Sequence, residues 1–358
     1  MKPNVRVLCL TKYGRLGASS RLRTLQFLPW LEQQGLELTL APLLSDNYVS
    51  NLYRGNTDWR ALIQGYASRI RRLLVSRGFD VLWLEKEALP WVPEIIESLL
   101  TPSDIPLVVD YDDAIFHHYD RHRRHIVRRL LGHKIDCVMA RAHTVMAGNP
   151  YLADRARAAG AHRIEIVPTV VDLARYDVRE APCRHLPVIG WIGTPGTVRF
   201  LGLIEEALAH CVNEGLATVV AVGVNRPPLA SVHVQPIAWS EETEVSEIQN
   251  FDIGVMPLPD EPFERGKCGY KLIQYMACGK PVVASPVGVN SEIVRDGTNG
   301  FLAADHRSWL EALTRLTSDA RLRRKMGQDG RVAVEERYCL NVAAPMVESI
   351  LRRAAANS

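Results

Sequence analysis

Short aliphatic or β-branched runs recur along the chain, each followed by a turn containing Gly, Ser or Asp and then by a stretch with helical spacing. This alternation is the signature of parallel α/β units. In the first half it predicts strands at Val5 to Leu10, Leu36 to Leu40, Val81 to Leu84, Leu107 to Val109, Thr144 to Ala147 and Ile164 to Val167. Helical periodicity appears in Leu22-x-x-Leu25-x-x-Leu28 and again from Ile63 through Tyr66 and Ile70 to Leu74. The pattern restarts at Val188 to Ile192, with a helix expected over 197–209 and further strands at Thr218 to Val222, Phe251 to Met256, Pro281 to Ala284 and Gly300 to Leu302. Beyond Ser318 the chain is charged and helical, with segments expected over 322–326, 332–338 and 342–351.

A length of 358 residues corresponds to roughly two domains at the usual ~150 residues each. The segment Leu173 to Pro187 carries charged residues and two prolines between the last strand of one set and the first of the next, and is the expected linker. The predicted fold is α/β: two doubly wound Rossmann-like domains facing across a cleft. Their expected extents are 1–178 and 188–335, with a C-terminal helical segment, 336–358, packing back across the lobes. In such sheets ligands sit beyond the carboxyl ends of the strands.

With 47% hydrophobic and 23% charged residues, the chain is too apolar to be mainly disordered. Its net charge of +3 gives no support for nucleic-acid binding over the whole surface. The seven cysteines, Cys183 among them, are scattered and form no Cys-x-x-Cys pair. This fits a reducing compartment and gives no support to a disulfide framework or a cysteine zinc site. No histidine pattern points to a metal. No signal core or membrane span is apparent, so a cytoplasmic protein, soluble or peripheral at the inner face of the membrane, is expected.

The stretch Gly266 to Gly300 reads as a glycine loop (Gly266, Gly269), a short helix, a Gly-Lys-Pro stop, a buried strand, a second glycine loop at Gly288 and a second helix start at Asn290, Ser291 and Glu292. Helix amino termini at strand ends hold phosphates through free N–H groups and the helix dipole. Lys271 and Gln274 share one face of the first helix. A cation in a first helical turn is at the wrong end of the dipole unless an anion lies beside it. The same holds for Arg199, after Gly193-Thr194-Pro195-Gly196-Thr197. One diphosphate would account for both cations; solvated side chains are the alternative.

The run Tyr275-Met276-Ala277-Cys278-Gly279-x-Pro281-Val282-Val283-Ala284-Ser285, then Gly288-x-x-x-Glu292 and Asp296-Gly297-x-x-Gly300, closely resembles the donor-binding half of family 4 (group 1) glycosyltransferases, which have the two-Rossmann glycosyltransferase B fold. Weaker echoes are Gly193 with Arg199, Gly148-Asn149-x-Tyr151 and Val167-Pro168-Thr169. The resemblance implies sugar transfer from a nucleotide-diphosphate donor, with retention and with neither metal nor other cofactor. Arg199 falls at the family's diphosphate lysine, while the arginine position is Thr194. The family's paired glutamates map onto Gly266 and Gln274; Lys271 or Lys267 would supply a second positive charge. Glu292 keeps its family position, near the donor's sugar and phosphates. Asp112 stands where many relatives carry the histidine of a His-Asp pair, beside Asp113.

On the acceptor side, Asp112 and Asp113 follow a predicted strand, as does Glu87 in Glu85-Lys86-Glu87. Strand-end carboxylates could orient an acceptor hydroxyl or cap a turn. In the first loop Gly14 and Gly17 would let the backbone approach the cleft, and Arg15 and Arg21 could meet phosphate on a donor or a lipid acceptor. That loop lacks the full Gly-x-Gly-x-x-Gly spacing, so a nicotinamide cofactor is poorly supported. The Arg-rich run His117 to Lys134 reads as a solvated helix packed by its apolar stripe or as an amphipathic surface for anionic lipid. The expected partners are therefore a nucleotide sugar, a glycan, lipid-linked or small-molecule acceptor, and peripherally an anionic membrane. An inactive nucleotide-sugar-binding protein and a nucleotide-sugar epimerase are the alternatives.

Overall fold

The computed structural model describes residues 4–53, 55–179 and 184–356. Cys183 and the middle of the expected linker, 180–183, lie outside the described residues. The chain forms two compact units: residues 1–169, 266–268 and 341–358 make the first, and 170–265 with 269–340 the second.

The first unit holds a parallel sheet of β1 (Val5–Leu10), β2 (Leu36–Leu40), β3 (Val81–Glu85), β4 (Leu107–Tyr111), β5 (Thr144–Ala147) and β6 (Ile164–Ile166), in the order β2-β1-β3-β4-β5-β6. The second holds β7 (Val188–Ile192), β8 (Thr218–Val222), β9 (Val234–Ile237), β10 (Ile253–Met256), β11 (Val282–Ala284) and β12 (Gly300–Leu302), in the order β12-β11-β10-β7-β8-β9. All pairings are parallel. Both orders are doubly wound, and in each the direction of winding reverses beside the first strand: between β1 and β3, and between β7 and β10. The central strands are aliphatic because both faces are covered by helices; β3, β4, β5, β7 and β10 are buried throughout.

Four local expectations are corrected. Val234–Ile237 is a strand missed because Pro236 interrupts a four-residue run at the sheet edge. The helix expected over 197–209 is a 3-10 segment, Val198–Ile204, followed by an α-helix, Glu205–Asn213; Gly202 disfavours regular α-helix there. The segments 322–326 and 332–338 join in one helix, Ala320–Arg337. The intervening Gly327 permits close packing, since a Cβ there would lie 1.9 Å from the Gly279 carbonyl oxygen. The Arg-rich run is not one helix: it holds two short ones, His117–Asp120 and His125–Leu131, and ends where a third, Lys134–Arg141, begins. The expected linker begins within packed structure, for Tyr176 is buried in the second unit's core.

Candidate functional site

In the second unit, Gly193 follows β7 and donates its N–H to the Val222 carbonyl at 3.0 Å. A Cβ at Gly193 would lie 2.5 Å from the Trp191 ring and 3.0 Å from Lys271 Cε. The Lys271 side chain therefore runs along the carboxyl end of β7, with its ammonium 5.6 Å from the Trp191 ring centre. Lys271 is in the first turn of the helix Tyr270–Ala277, whose preceding residue, Gly269, adopts a left-handed φ of 65°. Arg199 is exposed, its guanidinium 5.1 Å from the Phe200 ring. The regular helix begins only at Glu205, so Arg199 is not a cation in the first turn of an α-helix, contrary to expectation. Thr194 is exposed in the turn closed by the Thr197 N–H on the Thr194 carbonyl.

Gln274 does not share an open polar face with Lys271. It is 3% exposed, and its amide donates to the Tyr176 hydroxyl at 2.9 Å. The second glycine loop is also differently built. Asn290 is buried and its amide ties back to the Ser285 carbonyl at 3.1 Å. The helix Asn290–Ile293 has only four residues, and the N–H groups of Asn290, Ser291 and Glu292 already bond to Val287, Gly288 and Val289. Gly288, with a φ of 54°, lies against the Arg265 carbonyl. Ser291 and Glu292 are exposed at this loop.

Two groups at the same strand ends were missed by the sequence. Trp239, just past β9, donates its indole N–H to Glu244 Oε2 at 3.2 Å. The other Glu244 oxygen meets Arg175 at 3.3 Å. Trp239 Cβ lies near Gly223, itself against the Gly193 carbonyl, so this aromatic edge belongs to the Gly193 neighbourhood. The sequence offered no signal for it, because the strand that Trp239 follows was itself missed.

In the first unit, charges gather at the ends of β1, β3 and β4. Lys86 has a φ of 63°, a left-handed backbone unusual for a residue other than glycine. Its N–H donates to the Asp110 carbonyl at 2.9 Å, while its ammonium lies 2.7 Å from Asp112, 3.0 Å from Ser19 Oγ and 3.5 Å from Asp113. Burial alone would lower the Lys86 pKa, but Asp112, Asp113 and Glu85 outweigh it and raise it. Burial likewise opposes ionisation of Asp112, and Lys86 reverses this, holding the carboxyl below its ordinary range. The backbone conformation that aims Lys86 at these carboxylates is invisible in the residue type, which is why sequence reasoning passed it over.

Lys267, expected beside the donor, belongs to the first unit: its ammonium is 3.8 Å from Asp113. Asn149 holds this segment by donating to the Gly266 and Lys267 carbonyls at 2.8 and 3.1 Å, and the Cys268 thiol donates to the Asp112 carbonyl at 3.1 Å. This packing gives the Gly148-Asn149 echo a physical role. Asp113 is partly exposed and faces both lysines.

Glu87 is not directed to an acceptor. Its oxygens accept from the Tyr119 hydroxyl at 2.9 Å and pair with Lys134 at 2.7 Å, and Lys134 also meets Glu97 at 3.1 Å. Gly14 is packed against Asp46, whose carboxylate accepts the Arg15 and Leu16 N–H groups; Gly17 abuts the Tyr13 ring. Arg15 is exposed. Arg21 is buried, donating to the Arg15 carbonyl at 3.2 Å. Among the described residues, no group of three His, Cys, Asp or Glu could hold a metal ion, and no helix is long and apolar enough to cross a membrane.

The family described as Glycosyl transferases group 1 matches residues 186–319. A D-inositol 3-phosphate glycosyltransferase of Paenarthrobacter aurescens is 32% identical over 151 residues, 41% of this chain and 33% of the relative. A second, from Nocardia farcinica, is 28% identical over 46% of this chain and 42% of the relative. The chain thus spans less than half the length of these curated relatives. Among solved structures, a sucrose-phosphate synthase from Thermosynechococcus elongatus superposes with a TM-score of 0.72 at 15% identity, covering 99% of this chain and 100% of that one. Anabaena HepE in complex with UDP and glucose gives 0.70 at 16% identity, covering 98% and 100%. At such identities the likeness concerns the fold alone. Residues 186–319 are thus similar to the group 1 glycosyltransferases, and the chain has a fold of two Rossmann-like units.

Proposed function

We propose that this chain transfers a sugar from a nucleotide-diphosphate donor to an acceptor, with retention of anomeric configuration and without a metal or other resident cofactor. The observation that carries the reading is Lys271 laid along Gly193 at the carboxyl end of β7, within the segment that matches the family. Departure of the nucleoside diphosphate places negative charge on its β-phosphate, and a fixed ammonium beside a glycine loop stabilises that charge more in the transition state than in the ground state. Arg199 supplies a second cation, and Trp239, with Glu244 behind its indole, offers a flat surface for a nucleobase.

On this reading the first unit handles the acceptor. Asp113, between Lys86 and Lys267, orients the incoming hydroxyl. The departing phosphate accepts the hydroxyl proton in a front-face route, so no dedicated base is needed. A glycan or lipid-linked acceptor is favoured by one surface feature: Ile126 and Leu130 stand exposed in the helix His125–Leu131 among Arg124, Arg128 and Arg129, with no acidic residue between Arg121 and His133. Such a surface suits peripheral contact with anionic lipid at the inner face of the membrane, each cation contributing ~1 kcal/mol.

The test is turnover with a panel of nucleotide sugars and acceptors, with the product anomer read by NMR. A glycosidic product of retained configuration, insensitive to chelator, is expected. Binding without consumption would replace the reading with that of an inactive binder, and conversion of donor alone would replace it with an epimerase. Sedimentation with phosphatidylglycerol vesicles, lost in Ile126→Glu, tests the membrane contact; equal sedimentation with neutral vesicles would exclude the electrostatic part.

A further inference from the structure

At the amino-terminal edge of the second sheet, opposite the Gly193 end, a cavity of about 510 Å³ opens beside Asp252 before β10 and Lys280 before β11. Among the described residues five cations line it, Arg179, Lys280, Arg323, Arg324 and Arg331, with Asp252 as the one carboxylate. Its volume is in the range of small-molecule sites, ~300–1,000 Å³.

Most of these groups are engaged. Arg323 donates to the Leu316 and Thr317 carbonyls at 2.6 and 3.0 Å. Arg331 donates to the Tyr176 and Ala277 carbonyls at 2.5 and 2.6 Å and pairs with Glu335. Arg179 lies 3.5 Å from Asp177, and the Asp252 carboxylate accepts the Val188 N–H at 2.9 Å. The arginines that carry these bonds are thereby fixed before any ligand arrives, which lowers the entropy cost of binding one.

Lys280 differs from them. It is 5% exposed; its ammonium lies 3.4 Å from the Arg179 carbonyl oxygen, and Asp252 attracts it from beyond salt-bridge distance, yet burial outweighs this and lowers its pKa. A buried ammonium with one long hydrogen bond and a carboxylate outside contact distance is incompletely compensated. The negative end of the helix Tyr270–Ala277 is nearby, but it amounts to about half a charge, and Arg331 already occupies the Ala277 carbonyl. The helix end accounts for one cation and not for five.

An oxyanion with several acceptor oxygens would satisfy Lys280 and use the open donors of Arg324 at once. We propose that this cavity is a second anion site, taking the phosphate groups of a phosphorylated small molecule on the edge of the sheet away from the donor. The proposal stands apart from the glycosyl-transfer reading, since none of its residues lies at the carboxyl ends of the strands.

Isothermal titration of the full chain with inorganic pyrophosphate tests it. Lys280→Gln and Arg324→Gln should each weaken binding about tenfold, as loss of one charged hydrogen-bond donor does, whereas Lys271→Ala should keep one pyrophosphate site. Arg324 is exposed, so its variant decides the matter even where Lys280→Gln lowers stability. Wild-type affinity in Arg324→Gln, loss of all pyrophosphate binding in Lys271→Ala, or no binding to the wild-type chain at millimolar pyrophosphate would each overturn the assignment.

Discussion

At the carboxyl ends of β1, β3 and β4 the first unit buries paired charge: Arg23 with Asp110, Lys86 with Asp112, and Lys134 with Glu87 and Glu97. At the corresponding ends of β7, β8 and β9 the second unit places glycine and aromatic rings instead, with Gly193 against Trp191 and Gly223 beside Trp239. Both sheets are parallel, six-stranded and doubly wound, so the difference lies in the side chains at the strand ends. Closed ion pairs fix carboxylates in place but leave little capacity for a multiply charged ligand. Glycine turns leave backbone open to approach, and Lys271 runs beside one of them. The contrast is what the proposed function builds on, with hydroxyl positioning proposed for one unit and diphosphate binding for the other.

The largest expected effect tests the buried pairs. Arg23 reaches Asp110 at 2.6 Å, with both side chains almost wholly buried, and also donates to the Val167 carbonyl at 2.8 Å. Arg23→Met strands a buried carboxylate, and urea unfolding should show a loss of about 3–5 kcal/mol. Lys271→Ala should act on chemistry and leave the fold alone: a fall of roughly 10²–10³ in kcat is expected, with unchanged circular dichroism and melting temperature. Were the two units' roles exchanged, Lys271→Ala would instead raise KM for the acceptor.

Asp113→Asn should lower kcat/KM for the acceptor by roughly 10²-fold, the lower range for positioned proton and hydroxyl contacts, while leaving donor binding intact. A change confined to donor KM would blur the comparison. Smallest is Gln274→Leu. Loss of the hydrogen bond to Tyr176 should cost about 1 kcal/mol, with nucleotide affinity altered by less than about threefold; a tenfold loss would show that Gln274 contacts the nucleotide.

Sequence pattern made the strands legible because their runs are aliphatic and their turns marked by glycine, and it made Lys271 legible because a cation opens a helix behind Gly269. Other features depend on partners distant in the chain. Gln274 is buried because Tyr176 arrives from 98 residues away. Residues 266–268 pack with the first unit because Asn149 donates to their carbonyls and the Asp112 carbonyl accepts from the Cys268 thiol, both from well over 100 positions earlier. Glu87 is silenced by Lys134, whose ammonium sits in the interior. Lys86 escaped notice because a left-handed lysine follows from the fold around it and from no local rule. The pattern of apolar residues specifies where each chain segment lies; which polar groups neutralise one another is settled by contacts across the sheet.

Nucleoside diphosphate binding measured by calorimetry on the wild-type chain, Lys271→Ala and Asp113→Asn tests the central assignment most directly. The account predicts at least tenfold weaker binding in Lys271→Ala and wild-type affinity in Asp113→Asn. Undiminished binding in Lys271→Ala, or weakening confined to Asp113→Asn, would contradict it.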